Sequence, residues 1–258
     1  MYPCARLLSR SATWPGAAEA KAMLYATTAC ARPSPLLTIV IPALNEGSVI
    51  AELLASLAPL RVRGVEVVVV DGGSTDGTAA AAGPGADRVL VAPCGRARQM
   101  NAGAAAAQAP VLLFLHADTR LPANADQLIV NGLGAAGLEW GRFDVRIEGA
   151  SRWLQLVASF MNLRSRITGI ATGDQAMFVT RRAFDALRGF PDQALMEDVE
   201  LSSRLKRRGP PLCLRPPVVT SGRRWNARGV ARTILLMWWI RLLYVFGVAP
   251  DRLARMYH

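Results

Sequence analysis

The chain has no C-x-x-C pair: its four cysteines, Cys4, Cys30, Cys94 and Cys213, stand far apart. That excludes a zinc site of the usual spacing and gives no disulfide framework, so a reduced, cytoplasmic setting is the simplest fit. No Walker G-x-x-x-x-G-K is present, which counts against a P-loop site. A helix that spans a membrane needs about 20 mostly apolar residues; the apolar run from Thr233 to Val248 is shorter and carries Arg241 near its middle. The first 35 residues are rich in Ala, Ser, Thr and Arg and lack the long apolar core of a secretion signal. They resemble a transit peptide in composition, but read better as a disordered or dispensable tail, with Met23 as an alternative start. Acidic residues are outnumbered, 19 against 30 Lys plus Arg, and the net charge of +11 favours anionic partners: nucleotides, phospholipid head groups or nucleic acid.

What is present is a globular chain of 258 residues, 52% hydrophobic and 19% charged, long enough to bury a sizeable core. From residue 36 a regular pattern begins. "LLTIVIP" is a short β-branched run, and apolar residues recur at helical spacing in the "EGSVIAELLASLAPL" that follows. Then come "VEVVVV", a small-residue helix after Ser74, "DRVLVA", a helix over Arg96 to Gln108, and "VLLFL". Strands that alternate with helices and read as unbroken apolar runs predict a parallel sheet covered on both faces. In such sheets ligands sit beyond the carboxyl ends of the strands. Polar clusters follow the strands directly: Pro42, Asn45 and Glu46 after the first, Asp71 to Thr78 after the second, His116 and Asp118 after the fourth.

"DGGSTDGT" gives the backbone two glycines for a sharp turn, a hydroxyl to cap the next helix, and Asp71 as an acceptor. It is not G-x-G-x-x-G, and taken alone it serves equally well as an ordinary strand-to-helix turn. A carboxylate such as Asp118, in a cleft that binds an anionic substrate, needs a cation between the two charges. Mg²⁺ is commonly held by one or two carboxylates plus substrate phosphates. Asp118 is then the metal ligand, with His116 a second ligand, better suited to Mn²⁺, a phosphate contact or a structural histidine.

In order along the chain, "TIVIPALNE", "VVVVDGGSTDGT", "GRARQMNAGA", "LLFLHADTRLP", "GDQAMFV", "LMEDVELSSRLKRRG" and "SGRRW" resemble the successive motifs of family-2 glycosyltransferases with the GT-A fold. The similarity is to a short bacterial branch with HAD where most members have D-x-D, and it covers about residues 36 to 258. It implies a Rossmann-like, mostly parallel α/β sheet flanked by helices, and inverting transfer from a nucleotide-sugar donor with Mn²⁺ or Mg²⁺. By the same resemblance Pro42, Asn45, Glu46, Asp71, Gly73, Arg98 and Asn101 face the nucleotide, and Asp174 and Gln175 lie on the sugar or acceptor side. Arg223, Arg224 and Trp225 cover the diphosphate, His116 and Asp118 take the D-x-D position, and Asp198 is the general base. On the bare residues Glu197 reads as the acidic start of a capped amphipathic helix.

The expected organisation is a tail over 1–35, a GT-A domain over 36–225 and an amphipathic helical segment over 226–258. That last segment either lies in a bilayer interface through Trp238, Trp239, Tyr244 and flanking arginines, or packs on the domain or a second subunit. The first option predicts a cytoplasmic enzyme at the inner face of the cell membrane, with a hydroxyl, carboxyl or phosphate acceptor that is lipid-like, such as a polyprenyl phosphate or a carotenoid-type acid. The competing readings are a nucleotidyltransferase and a non-catalytic basic protein on membrane surfaces. Acids at strand ends argue against nucleic acid as a partner.

Overall fold

The computed structural model describes residues 34–149, 151, 153–223 and 229–257. Its centre is the run that was legible in sequence. Strand β1 (Leu37–Ala43) pairs in parallel with β2 (Glu66–Asp71) on one side and β4 (Val111–Phe114) on the other, and β3 (Arg88–Val91) lies outside β2. Every residue of β1 and β2 is buried, because both faces of the sheet are covered. Ile39, Ile41, Val67 and Val69 point to one core, shared with Leu53, Leu54 and Leu57 of α1 (Ile50–Val62). Val40, Val68 and Val70 point to the other, shared with Ala97, Met100 and Ala104 of α3 (Arg96–Ala106). The side-chain period of two thus delivers apolar residues to both faces, which is why these strands show no polar alternation. Helix α3 approaches closely because residue 103 is glycine: a Cβ there would come within 2.3 Å of Val40 Cγ1.

Beyond β4 the sheet changes sense. Strand β7 (Phe178–Thr180) pairs antiparallel with β4, and β6 (Trp140–Glu148) antiparallel with β7. β8 (Leu212–Ser221) runs parallel to β6, and the two-residue β5 (Thr119–Arg120) closes the edge, giving the order β3-β2-β1-β4-β7-β6-β8-β5. The Pro-rich stretch before Thr220, which by composition alone reads as a connection, supplies Pro216 and Pro217 to β8. Pro217 pairs with Asp144 just past a shift in register between Phe143 and Asp144, the kind of irregularity that tolerates a residue with no N–H to donate. The α/β sheet flanked by helices agrees with the expected fold class.

The short α2 (Thr78–Ala82) follows β2, and α4 (Ala125–Ala136) packs near β8. Helix α5 (Trp153–Thr168) lies on β6, where the Asn162 side chain accepts from Val145 N–H at 2.9 Å and donates to Val145 O at 3.0 Å. After α6 (Arg181–Ala186) and α7 (Glu197–Lys206), the chain ends in α8 (Val230–Val245) and α9 (Pro250–Tyr257). Ile240 and Leu253 form a small core with Met196, flanked by Val199 and Tyr244, so this pair of helices docks beside the start of α7. Tyr244 donates to Glu200 at 3.1 Å. No helix among the described residues is long and apolar enough to cross a membrane.

Candidate active site

The carboxyl edge of the parallel strands opens into a cavity of about 700 Å³, a size suited to a small-molecule ligand. Pro42 and Glu46 from the end of β1, and His116 and Asp118 from the end of β4, line it. So do Arg96 and Arg98 from α3, Asp174, Glu197, and Asp251 of α9.

Two of its loops are tied to each other. Asn45, in the left-handed region at φ 54°, gives its N–H to Ser74 Oγ at 2.9 Å, and its Oδ1 accepts from Thr75 N–H at 3.0 Å. Glu46 N–H donates to Thr78 Oγ1 and Gly47 N–H to Asp76 Oδ2. Asp71 is 3% exposed. Its carboxylate accepts from the N–H groups of Gly73 and Ser74 at 3.1 and 3.0 Å and from the Ser74 hydroxyl. Gly73, at φ 90°, supplies the turn that lets these donors converge on one carboxylate. Beneath them Gln99 Nε2 donates to Ala43 O and Val70 O, joining the ends of β1 and β2. The loops that end β1 and β2 are therefore tied by hydrogen bonds into one rim.

Across the rim lies the charged group. Arg223 Nη2 stands 3.6 Å from Glu46 Oε2 and 4.0 Å from Asp118 Oδ2. Burial and the neighbouring Asp118 charge push the Glu46 carboxyl up from its ordinary value, opposed by Arg223 and Arg96. His116 Nδ1 lies 3.3 Å from Asp174 Oδ1. The Nε2 edge of the ring packs on residue 173, which must be glycine because a Cβ would come within 2.4 Å of that nitrogen. Both imidazole nitrogens thus stand against the 173–174 turn.

The opposite wall is the start of α7. Asp198 Oδ2 accepts from Gly173 N–H at 2.6 Å and Oδ1 from Val199 N–H at 2.7 Å. Its neighbour Glu197 lines the cavity at 5% exposure. Burial first, and the Asp198 charge second, push the Glu197 carboxyl up to about 7. Sequence patterning missed Glu197, since an acid in a helix's first turn needs no further reason. The only available signal was its adjacency to Asp198.

The other expected residues divide plainly. Arg98 lines the cavity and its Nε contacts Asp192 Oδ1 at 2.8 Å. Asn101 is spent on the frame, exchanging bonds of 2.9 Å with both backbone groups of Phe190. Gln175 is fully buried; its Oε1 accepts from Thr172 N–H at 3.2 Å and its Nε2 donates to Asn162 Oδ1 at 3.4 Å. Neither Asn101 nor Gln175 lines the cavity. Arg224 and Trp225 lie outside the described residues.

The model of the family described as glycosyl transferase family 2 matches residues 38–188, more than half the chain. This protein belongs to glycosyltransferase family 2. The match takes in β1 to α6 and so includes the rim, Asp118 and Asp174, while α7 and Arg223 lie beyond it. No curated protein matches the sequence. Among solved structures, S. aureus TarS 1-349 in complex with UDP-GlcNAc is 18% identical over 72% of this chain and 58% of that one, with a TM-score of 0.59. The mannosyltransferase PcManGT from Pyrobaculum calidifontis, in complex with GDP-Man and Mn²⁺, is 22% identical over 92% and 73%, at 0.58. The glucosyl-3-phosphoglycerate synthase from Mycobacterium tuberculosis, in complex with Mn²⁺, UDP and glucosyl-3-phosphoglycerate, is 19% identical over 78% of each chain, at 0.54. The chain spans about three-fifths of the length of the TarS fragment. At these identities the likeness establishes the shared GT-A fold of this glycosyltransferase.

Proposed function

We propose that this glycosyltransferase moves a sugar from a nucleotide-sugar donor to its acceptor with inversion at the anomeric carbon. The observation that carries the reading is the meeting of Glu46, Asp118 and Arg223 at the carboxyl edge of the parallel strands, with Glu197 at the start of α7 lining the same cavity as Glu46 and Asp118. Cations and acids are both needed there: cations for a diphosphate, and acids for a metal and a proton. The UDP-GlcNAc and GDP-Man of the similar structures support a nucleotide-sugar donor, and their Mn²⁺ supports a divalent cation.

Among the described residues no group of three or more His, Cys, Asp or Glu is arranged to hold a metal ion. The chemistry of the donor set still fits Mg²⁺ or Mn²⁺, which accept a single protein carboxylate when substrate phosphates complete the shell. Asp118 is that carboxylate. The ion would supply charge neutralisation on the departing diphosphate.

The chain's own residues do the rest. The rim of Asn45, Asp71 and Gly73, with Pro42 below, receives the nucleoside. Arg98 and Arg223 hold the diphosphate; a guanidinium fork matches two phosphate oxygens. Asp174, oriented by His116, faces the sugar. Asp198, fixed by Gly173 and Val199, takes the acceptor's proton as the acceptor oxygen bonds to the anomeric carbon and the bond to the diphosphate breaks. Glu197 keeps this wall acidic without a second full negative charge beside Asp198.

Thermal unfolding against UDP-, GDP- and dTDP-sugars, with and without Mn²⁺ or Mg²⁺, tests the reading, since a ligand of the folded state raises the transition temperature. A metal-dependent rise with one nucleotide is expected. A folded protein that responds to none of them refutes it.

A further inference from the structure

Helices α5 and α8 are apolar on two sides. The inner sides are spent on folding: Leu154 and Ala158 of α5 join the core shared with Phe143 and Val145 of β6, and Ile240 of α8 packs on Met196. The outer sides are turned to solvent. On α5 the outer stripe runs through Trp153, Leu156, Phe160, Leu163 and Ile167, at spacings of three and four. On α8 it runs through Leu235, Trp238, Leu242 and Val245, with Trp239 and Phe246 beside it. These are eleven of the sixteen large apolar side chains exposed among the described residues, so the surplus is concentrated on one pair of helices rather than scattered. The stripes adjoin, since Arg164 of α5 lines the same shallow groove as Leu235, Trp238 and Leu242 of α8.

We propose that this face is the interface of a symmetric dimer, covered by the same face of a second copy of this chain. Its extent fits. The eleven side chains are 46–80% exposed. Together they offer on the order of 1,000 Å², against about 800 Å² per partner in a standard stable interface. Its composition fits as well. The only exposed charged side chains among the described residues of the two helices are Arg166 and Arg232, and Arg166 is held by Asp144 at 2.6 Å. A helix that lies on an anionic bilayer carries a polar face rich in Lys and Arg, and α5 and α8 lack one because their other sides are packed inside the protein. Aromatic rings with few charges are instead the composition of the centre of a protein interface, supplied here by Trp153, Phe160, Trp238 and Trp239.

Charge selects a second copy in the same way. The chain carries a net charge of +11, so two copies repel each other least through a face that holds almost none of it. Projecting rings and a groove occur together on this face, and a two-fold axis sets the rings of each copy against the groove of the other. The face shares no residue with the cavity of Glu46, Asp118 and Glu197, so pairing leaves both cavities open. The inference therefore goes beyond the transferase reading and does not rest on it.

Sedimentation equilibrium of the full chain over the micromolar range tests this. A species of twice the single-chain mass is expected, and it should hold as salt is raised, because screening reduces the repulsion between like-charged copies without weakening apolar burial. Phe160→Asp and Trp238→Asp, at exposed positions, are each expected to weaken the dimer by about thirtyfold or more, the loss of one central anchor. Circular dichroism checks that each variant keeps the wild-type fold, and either serves should the other fail to fold. Val62→Asp, equally exposed but outside the two helices, is expected to leave the dimer unchanged. A chain that stays monomeric throughout the range overturns the proposal; its binding to vesicles of phosphatidylcholine and phosphatidylglycerol would then assign the face to a bilayer. A dimer that folded Phe160→Asp and Trp238→Asp leave as tight as the wild type overturns it too, since pairing would use another face. Stabilisation by a nucleotide sugar without a dimer defeats this inference alone, and a dimer without stabilisation by any donor defeats only the transferase reading.

Discussion

The parallel half of the sheet and the half beyond β4 treat polar residues in opposite ways. At the ends of β1 and β2 nearly every polar side chain is satisfied by a near neighbour: Asp71 by Gly73 and Ser74, Asn45 by Ser74 and Thr75, Gln99 by two carbonyls. At α5, α7 and α8 charge is less well compensated: burial pushes the Glu197 carboxyl up, and Arg164 Nε and Nη2 and Arg241 Nε have no hydrogen-bond partner. Groups matched within one loop or by the adjacent loop build a binding rim that is ready before the ligand. A group held in a dry setting without a full set of partners retains interaction free energy for a substrate. On this account the first half holds the donor and the second performs the transfer.

The largest effect that would sharpen the contrast lies in the second half. Asp198→Asn is expected to lower the transfer rate by about 10²–10⁴-fold, the usual range for a positioned proton acceptor, while donor affinity measured by calorimetry stays near the wild-type value. In the first half, Asp118→Ala is expected to abolish the metal-dependent part of donor binding. Asp71→Ala leaves three donors around a buried position without their acceptor. It is expected to destabilise the fold by about 1–3 kcal/mol in urea titration and to weaken donor binding with it, since the rim is both structure and site.

Glu197→Gln separates the halves by pH. The folded-state carboxyl titrates near 7, above its ordinary value of 4.5, so folding favours the protonated acid. Its contribution is fully present below about 4.5 and is lost as pH rises through 7. The wild type should therefore lose stability between these limits relative to Glu197→Gln, and the variant should melt higher at pH 8 but alike at pH 4. Smallest of all, Arg98→Ala removes an exposed pair with Asp192. It is expected to leave stability nearly unchanged, as for most exposed ion pairs, while weakening the donor.

The same contrast explains what could be read from the sequence. The parallel strands announce themselves because each alternates between two covered faces, and the rim because its partners lie two to four residues apart or on adjacent strand ends. Asn101 and Gln175 were legible as motif members but not as framework, since their partners Phe190 and Asn162 are distant in sequence. Glu197 looked like a helix cap; its burial depends on α7 docking beside α8 and α9, which no local pattern encodes. Pro216 and Pro217 suggested a connection because the bulge that admits them is set by β6. His116 was placed by its motif position, and only the three-dimensional approach of Gly173 shows which way its ring faces.

The division of labour is tested most directly by titrating the donor that stabilises the wild type into Asp198→Asn and Asp118→Ala, with Mn²⁺ present. The account predicts wild-type affinity for the first and loss of metal-dependent affinity for the second. Loss of donor binding in Asp198→Asn, with metal-dependent binding intact in Asp118→Ala, would contradict it.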